Sequence, residues 1–356
     1  MDRSLKLQEL FEITASRKAS DLHLVAGRYP AIRVDGGLLP LLNEALLTPE
    51  DTKDFALALT SDVQKETFLR EGELDFAYSL RGKARFRVNL YRERGFTAIA
   101  SRFIPSTIKS LSDLRLPPTL SHFTQHSQGL LLMVGPTGHG KSSTLAALLD
   151  IINHSRSVHI LTIEDPIEYL FEPDRALITQ REVRTDTQDF HTALTHAFRQ
   201  DPDVIMVGEM RDPETIATAI TAAETGHLVF ATLHTNSASQ TIDRIIDSFP
   251  GSQQNQVRAQ LAQILLGVVS QRLLPRVDGG RVPACEIMIA NSAIRNLVRE
   301  NKTHQIDMVI STSVEEGMVS LDRYLADLVK RGEISTQTAQ MYSLNPSGMR
   351  ELLSSR

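Results

Sequence analysis

The chain has 356 residues, 41% hydrophobic and 23% charged, with 38 Lys and Arg against 43 Asp and Glu for a formal net charge of −5. That length and apolar content predict two or three globular domains with sizeable cores, and the mild acidity argues against a bulk nucleic-acid footprint. The single cysteine, Cys285, excludes an internal disulfide framework and a multi-cysteine zinc site, and no run approaches the roughly 18–20 apolar residues of a membrane span.

Met1 to Lys6 carry no signal-peptide core, which predicts a cytoplasmic protein, or one peripheral to a membrane through a partner. Leu7, Leu10, Phe11 and Thr14 then fall at helical spacing, and Ser20-Asp21 ends that helix. Residues 22–25 and 31–34 read as short strands, with Asp35-Gly36-Gly37 as the turn behind them. Pro49 opens a second helix running through Phe55, Leu59 and Val63. Strands follow at 73–80, 84–91 and 96–103, with turns at Arg81-Gly82-Lys83 and Glu93-Arg94-Gly95. Residues 1–104 therefore read as a small α+β domain with an antiparallel sheet. Pro105 closes it, and 105–118, with its Pro117-Pro118 pair, reads as a linker.

The texture changes at Gly129. Short apolar strands at 130–134, 158–163, 176–179, 204–207 and 228–231 alternate with helices, including 187–199 and 213–225. Such alternation predicts a mainly parallel sheet with helices on its faces, in a second domain spanning 119–356. The apolar run 264–269 suits a buried strand or helix, and the tail after Ile287 reads as helical. Within that tail Ile294, Leu297 and Val298 form an apolar stripe, and Arg295 and Arg299 a basic one. Further on, Leu321, Tyr324, Leu325, Leu328 and Val329 line one face behind Ser320 as N-cap.

Four motifs carry chemistry. Gly135-Pro136-Thr137-Gly138-His139-Gly140-Lys141-Ser142, followed by Ser143, fits G-x-x-x-x-G-K-[ST] between an apolar strand and a helix. Glycines let backbone N–H groups close on phosphate oxygens, with the helix N-terminus adding its dipole. Lys141 is expected at the β- and γ-phosphates and Ser142 at Mg²⁺. Second, the strand 160–163 ends in Glu164-Asp165-Pro166, which puts carboxylates in the ligand crevice of a parallel sheet, with Glu164 a candidate to polarise water. Third, Asp203-Val204-Ile205-Met206-Val207-Gly208-Glu209 resembles a Walker B strand. Gly208 stands at the usual metal-side Asp, leaving Glu209, so Mg²⁺ is expected to lean on Ser142, phosphate oxygens and water. Fourth, His227 and His234 bracket the strand 228–233 and are candidates to sense the γ-phosphate. In the first domain Arg85 and Arg87 share a strand face. That face is either solvated or the source of an arginine finger acting across a subunit boundary.

In this order the motifs resemble the Walker A, Asp box, Walker B and His box of the secretion-ATPase superfamily of type II secretion and type IV pilus systems. Within it the chain is most similar to the pilus retraction (twitching-motility) ATPases. Ser20-Asp21-Leu22-His23-Leu24, Phe86-Arg87-Val88-Asn89, Gly208-Glu209-Met210-Arg211-Asp212, Ala222-Ala223-Glu224-Thr225-Gly226-His227 and Ala293-Ile294-Arg295-Asn296-Leu297 carry the likeness. The resemblance implies a PAS-like N-terminal domain, a RecA-like P-loop ATPase domain with a helical C-terminal tail, and a ring-shaped homohexamer. It implies ATP and Mg²⁺ as cofactors, with residues 135–143 at the phosphates, Ser142 and Glu209 at the metal, and Glu164 and Glu209 at water. His227 and His234 fall in the His box, and Arg87 and Arg102 are the finger candidates. An inner-membrane pilus platform protein and a paralogous retraction ATPase are the implied partners. His139 departs from the small residue common at its position and is expected to slow nucleotide exchange. An accessory retraction ATPase and a RecA-like nucleic-acid translocase are the alternatives.

Overall fold

A computed structural model describes residues 3–34, 36–80, 84–104 and 107–354. Asp35, the Arg81-Gly82-Lys83 turn and Pro105 lie outside the described residues. The chain divides into two compact units, Met1–Thr107 with Pro166–Leu170, and Ile108–Asp165 with Phe171–Arg356.

The first unit runs α1 (Arg3–Ser16), β1 (Asp21–Leu24), β2 (Ala31–Val34), β3 (Gly37–Pro40), α2 (Pro49–Leu59), α3 (Asp62–Glu71), β4 (Leu74–Leu80), β5 (Ala84–Glu93) and β6 (Phe96–Ile104). Its strands form an antiparallel sheet in the order β3-β2-β1-β6-β5-β4. Alternation in β5 sends Ala84, Phe86, Val88 and Leu90 into the core and leaves Arg85, Arg87, Asn89 and Tyr91 half-buried on the other face. The ring of Phe11 on α1 lies 4.3 Å from that of Phe86, tying helix to sheet. Two elements differ from expectation. The helix opened by Pro49 stops at Leu59, because Ser61 starts a new one with a capping box: its hydroxyl accepts from Gln64 N while Gln64 Oε1 accepts from Ser61 N. And β3, all four residues exposed, is an edge strand without an alternating pattern to announce it.

The second unit comprises β7 (Gly129–Val134), α4 (Lys141–Ser155), β8 (His159–Glu164), β9 (Leu177–Glu182), α5 (Phe190–Ala197), β10 (Val204–Val207), α6 (Pro213–Glu224), β11 (Leu228–Leu233), α7 (Ala238–Asp247), α8 (Gly251–Ile264), β12 (Leu265–Pro275), β13 (Arg281–Ile289) and α9 (Ser292–Arg299). Four further helices close it: α10 (Ile306–Thr312), α11 (Leu321–Lys330), α12 (Thr336–Tyr342) and α13 (Pro346–Ser354). The sheet order is β13-β12-β7-β11-β10-β8-β9, parallel except for β13. β7, β10 and β11 are buried at every residue, as helices on both faces require. The stretch read as a linker packs Leu111 and Leu116 into this unit. The hairpin of β12 and β13 was not expected. It turns through Gly279 and Gly280, both at positive φ. Among the described residues, no helix is long and apolar enough to cross a membrane.

Arg295 does not sit on a solvated stripe. Its Nη1 donates to Ala262 O at 2.7 Å and Gln263 O at 2.6 Å, and its Nε to Ala290 O at 2.9 Å. It therefore caps the last turn of α8, where carbonyls lack helical partners and the dipole favours a cation. Arg299, by contrast, is exposed and donates to the exposed Asn296 Oδ1 at 3.3 Å. Arg295→Ala is expected to cost about 2 kcal/mol, which lowers the thermal midpoint by roughly 4–8 °C in a unit of this size. An unchanged midpoint in calorimetry would return Arg295 to the solvent.

Candidate active site

Strand β7 ends at Val134, and residues 135–140 turn the chain into α4, which starts at Lys141. Two glycines stand at positive φ, and the first is required by space as well. At Gly135 (φ +136°) a Cβ would lie 2.2 Å from Gln271 O, and at Gly140 (φ +85°) 2.8 Å from Gln271 Nε2. Gly140 is also the N-cap of α4 and offers no side-chain acceptor to the first turn, where the helix dipole favours an anion. Lys141 is buried and turned back on the loop. Its Nζ donates to Gly135 O at 2.6 Å and Pro136 O at 3.1 Å, and lies 3.5 Å from His234 Nδ1. Thr137 Oγ1 is at the same 3.5 Å from that nitrogen.

The carboxyl ends of the parallel strands bring the acidic residues to this loop. Glu164, 7% exposed, closes β8, and its Oε1 accepts from Thr162 Oγ1 at 2.8 Å and Gln180 Nε2 at 3.3 Å. Glu209 follows β10, with Oε2 accepting from Arg211 Nη2 at 2.7 Å and Oε1 lying 2.9 Å from His234 Nε2. Partial burial pushes the Glu209 carboxyl up, but Arg211 and His234 outweigh it, and the group lies below the usual carboxylate range. His234 thus stands between the two halves of the site, Nε2 toward Glu209 and Nδ1 toward Lys141.

Gly208 has a local reason. Its N–H donates to Ile163 O at 2.8 Å, and Thr232 Oγ1 donates to its carbonyl at 2.5 Å. A Cβ there would come 3.0 Å from Ile163 O and 3.3 Å from Glu164 Cα. A side chain at 208 would have to push the ends of β8 and β10 apart by a few tenths of an ångström, and the acidic group stands one position on, at Glu209.

His227 is not brought to the loop. It precedes β11 while His234 follows it, and six strand residues separate them by roughly 20 Å. Its Nδ1 lies 2.9 Å from Ala222 O, and its ring meets Phe198 edge-on at 5.6 Å. Arg87 and Arg102 lie in the first unit, directly opposite each other on β5 and β6. Arg102 Nε donates to Asp21 Oδ1 at 3.0 Å with its side chain 66% exposed. Among the described residues no cluster of three His, Cys, Asp or Glu could hold a metal by itself. A hydroxyl at Ser142 and a carboxylate at Glu209 fit a cation that keeps most of its water, as Mg²⁺ does. Thr162, Gln180, Thr232, Arg211 and Gln271 support the site and were not anticipated. Gln271, 2% exposed, sits between Ser270 and Arg272 in β12.

A glycine loop between strand and helix, two strand-end carboxylates and a bridging histidine define a P-loop nucleotide hydrolase. Residues 113–347 match the family described as type II/IV secretion system protein. The type IV pilus retraction ATPase PilT of Pseudomonas aeruginosa is 46% identical, over 94% of this chain and 97% of that one. The type IV pilus ATPase PilU of the same organism is 36% identical, over 98% and 91%. A solved structure of the pilus retraction motor PilT with bound ADP superposes with a TM-score of 0.90 at 46% identity, covering 97% of this chain and 98% of that one. The chain belongs to the type II/IV secretion family, among its PilT-type retraction ATPases.

Proposed function

We propose that this chain is the motor of type IV pilus retraction, coupling ATP hydrolysis to removal of pilin subunits at the pilus base. The observation that carries the reading is the 46% identity to a retraction ATPase across nearly the whole of both chains, around a site whose parts suit phosphoryl transfer. The working assembly is a homohexamer at the cytoplasmic face of the inner membrane, held there by a platform protein and served by a paralogous ATPase. The antiparallel and parallel sheets support reading residues 1–104 as a PAS-like domain and 119–356 as a RecA-like ATPase domain closed by C-terminal helices.

Lys141 and the N–H groups of 135–143 hold the phosphates. Ser142 and Glu209 would hold Mg²⁺, which would supply charge neutralisation to the phosphates. Glu164 and Glu209 orient and deprotonate water. His234, touching both the loop lysine and Glu209, registers whether the γ-phosphate is present. Arg87 and Arg102 approach the nucleotide of a neighbouring subunit. The test is deletion of the gene followed by microscopy of surface pili. Loss of retraction gives hyperpiliated cells that do not twitch. Bald cells would mark an extension motor, and normal pili with DNA-stimulated hydrolysis a nucleic-acid translocase.

A further inference from the structure

We infer that His139 is a positioning residue of the phosphate loop: as a hydrogen-bond acceptor it fastens the loop to strand β12, and this fastening sets how tightly ADP is held. The inference rests on the nucleotide-binding reading of residues 135–143 and says how this particular loop is kept in shape.

β12 pairs with β7 only as far as Ser270 opposite Val134. Past that point its inner edge has no strand beside it, and backbone N–H groups there need another acceptor. The loop supplies one. Leu273 N donates to His139 Nδ1 at 2.9 Å. Two residues earlier Gln271 reaches the same place from its side chain, with Nε2 donating to His139 O at 2.9 Å and Oε1 accepting from Thr144 Oγ1 at 2.7 Å. Loop and strand are thus joined at the tip of the loop and at the first turn of α4. A loop held in its binding shape before the ligand arrives loses less freedom on binding. Serine at 139, too short to reach Leu273 N, would leave only the Gln271 half of this clasp.

The acceptor role fixes the protonation state. Nδ1 must carry a lone pair, so the ring is neutral with its proton on Nε2. The charged groups facing it are all cations, Lys141 from α4, Arg272 from β12 and Arg281 from β13. Together with burial, which contributes most, they hold the imidazole below its ordinary 6.5. Protonation puts a donor against the Leu273 N–H and opens the clasp. A released imidazole binds its proton more readily than a clasped one, so the clasp is complete above about pH 6.5 and is lost as the pH falls.

The experiment is binding and stopped-flow release of a fluorescent ADP derivative on the full-length assembly, at about pH 7.5 and about pH 5.5, for wild type, His139→Ser and His139→Asn. Asparagine keeps an acceptor near the Nδ1 position but does not titrate. His139→Ser is expected to weaken ADP roughly threefold to tenfold at the higher pH, chiefly through faster release. His139→Asn should stay within about twofold of wild type there, and should lose less affinity than wild type on acidification. Equal affinity and release for His139→Ser and wild type would overturn the inference, and so would parallel pH profiles for wild type and His139→Asn. Should His139→Ser fail to assemble, the wild-type and asparagine profiles decide alone. A wild type that binds no ADP would instead refute the nucleotide-binding reading.

Discussion

Lys141→Ala is expected to abolish nucleotide binding and turnover while leaving the chain folded. The ammonium is buried and donates to the carbonyls of Gly135 and Pro136, which turns it back on the loop. A phosphate that displaces those carbonyls gains a charge-assisted bond in a site shielded from water, where such bonds are strongest. Alanine removes that charge and leaves two loop carbonyls short of a donor, a cost of about 1–3 kcal/mol against a much larger core. Calorimetric titration with ADP and a steady-state ATPase assay check the result, and near-normal turnover in the folded variant would remove the P-loop assignment. The same variant tests the arginines. Rings mixing Lys141→Ala subunits with Arg102→Ala or Arg87→Ala subunits contain some interfaces with an intact loop and an intact finger. Activity above that of either parent supports action in trans. No recovery in rings shown to mix would leave Arg102 as the partner of Asp21 and nothing more.

What could be read in advance divides along physical lines. The loop, Glu164 and Glu209 were legible because each follows a short apolar strand, and the carboxyl ends of parallel strands share one edge. The same reasoning misleads for His227, whose closeness to His234 in sequence becomes a full strand length in space. Gln271 was obscured because the apolar run before it fits strand and helix alike. The polar residues that follow look like the end of an element, yet they belong to an eleven-residue strand. Each is used inside the fold: Gln271 on the phosphate loop and α4, Ser270 on Asn236 O and Arg272 on Tyr342 O. Arg295 illustrates the remaining gap. Helical spacing places it beside Arg299, but its long side chain reaches the end of α8, some thirty residues earlier in the chain. Periodicity describes a helix face and says nothing of which distant carbonyls lie within reach of it.

The second large effect concerns the two carboxylates. Glu209→Gln is expected to retain ATP binding and lose turnover by about 10²–10⁴, the usual worth of a general base. The geometry favours Glu209 for the larger loss. Its carboxylate is held below the ordinary range and so is ionised at neutral pH, and it connects through His234 to Lys141 at the phosphate end of the loop. Glutamine keeps the shape and an acceptor oxygen but gives up the charge that His234 Nε2–H and Arg211 respond to. Glu164 is set differently. Its Oε1 already accepts from Thr162 and Gln180, which fixes its orientation, and Glu164→Gln is expected to lower turnover less steeply. Single-turnover hydrolysis, with nucleotide binding measured on the same samples, separates the chemical step from affinity. If Glu209→Gln hydrolyses ATP at the wild-type rate while Glu164→Gln does not, the water belongs to Glu164. The Glu209–His234 pair would then act only in relaying nucleotide state. If both retain wild-type turnover, neither strand end supplies the base.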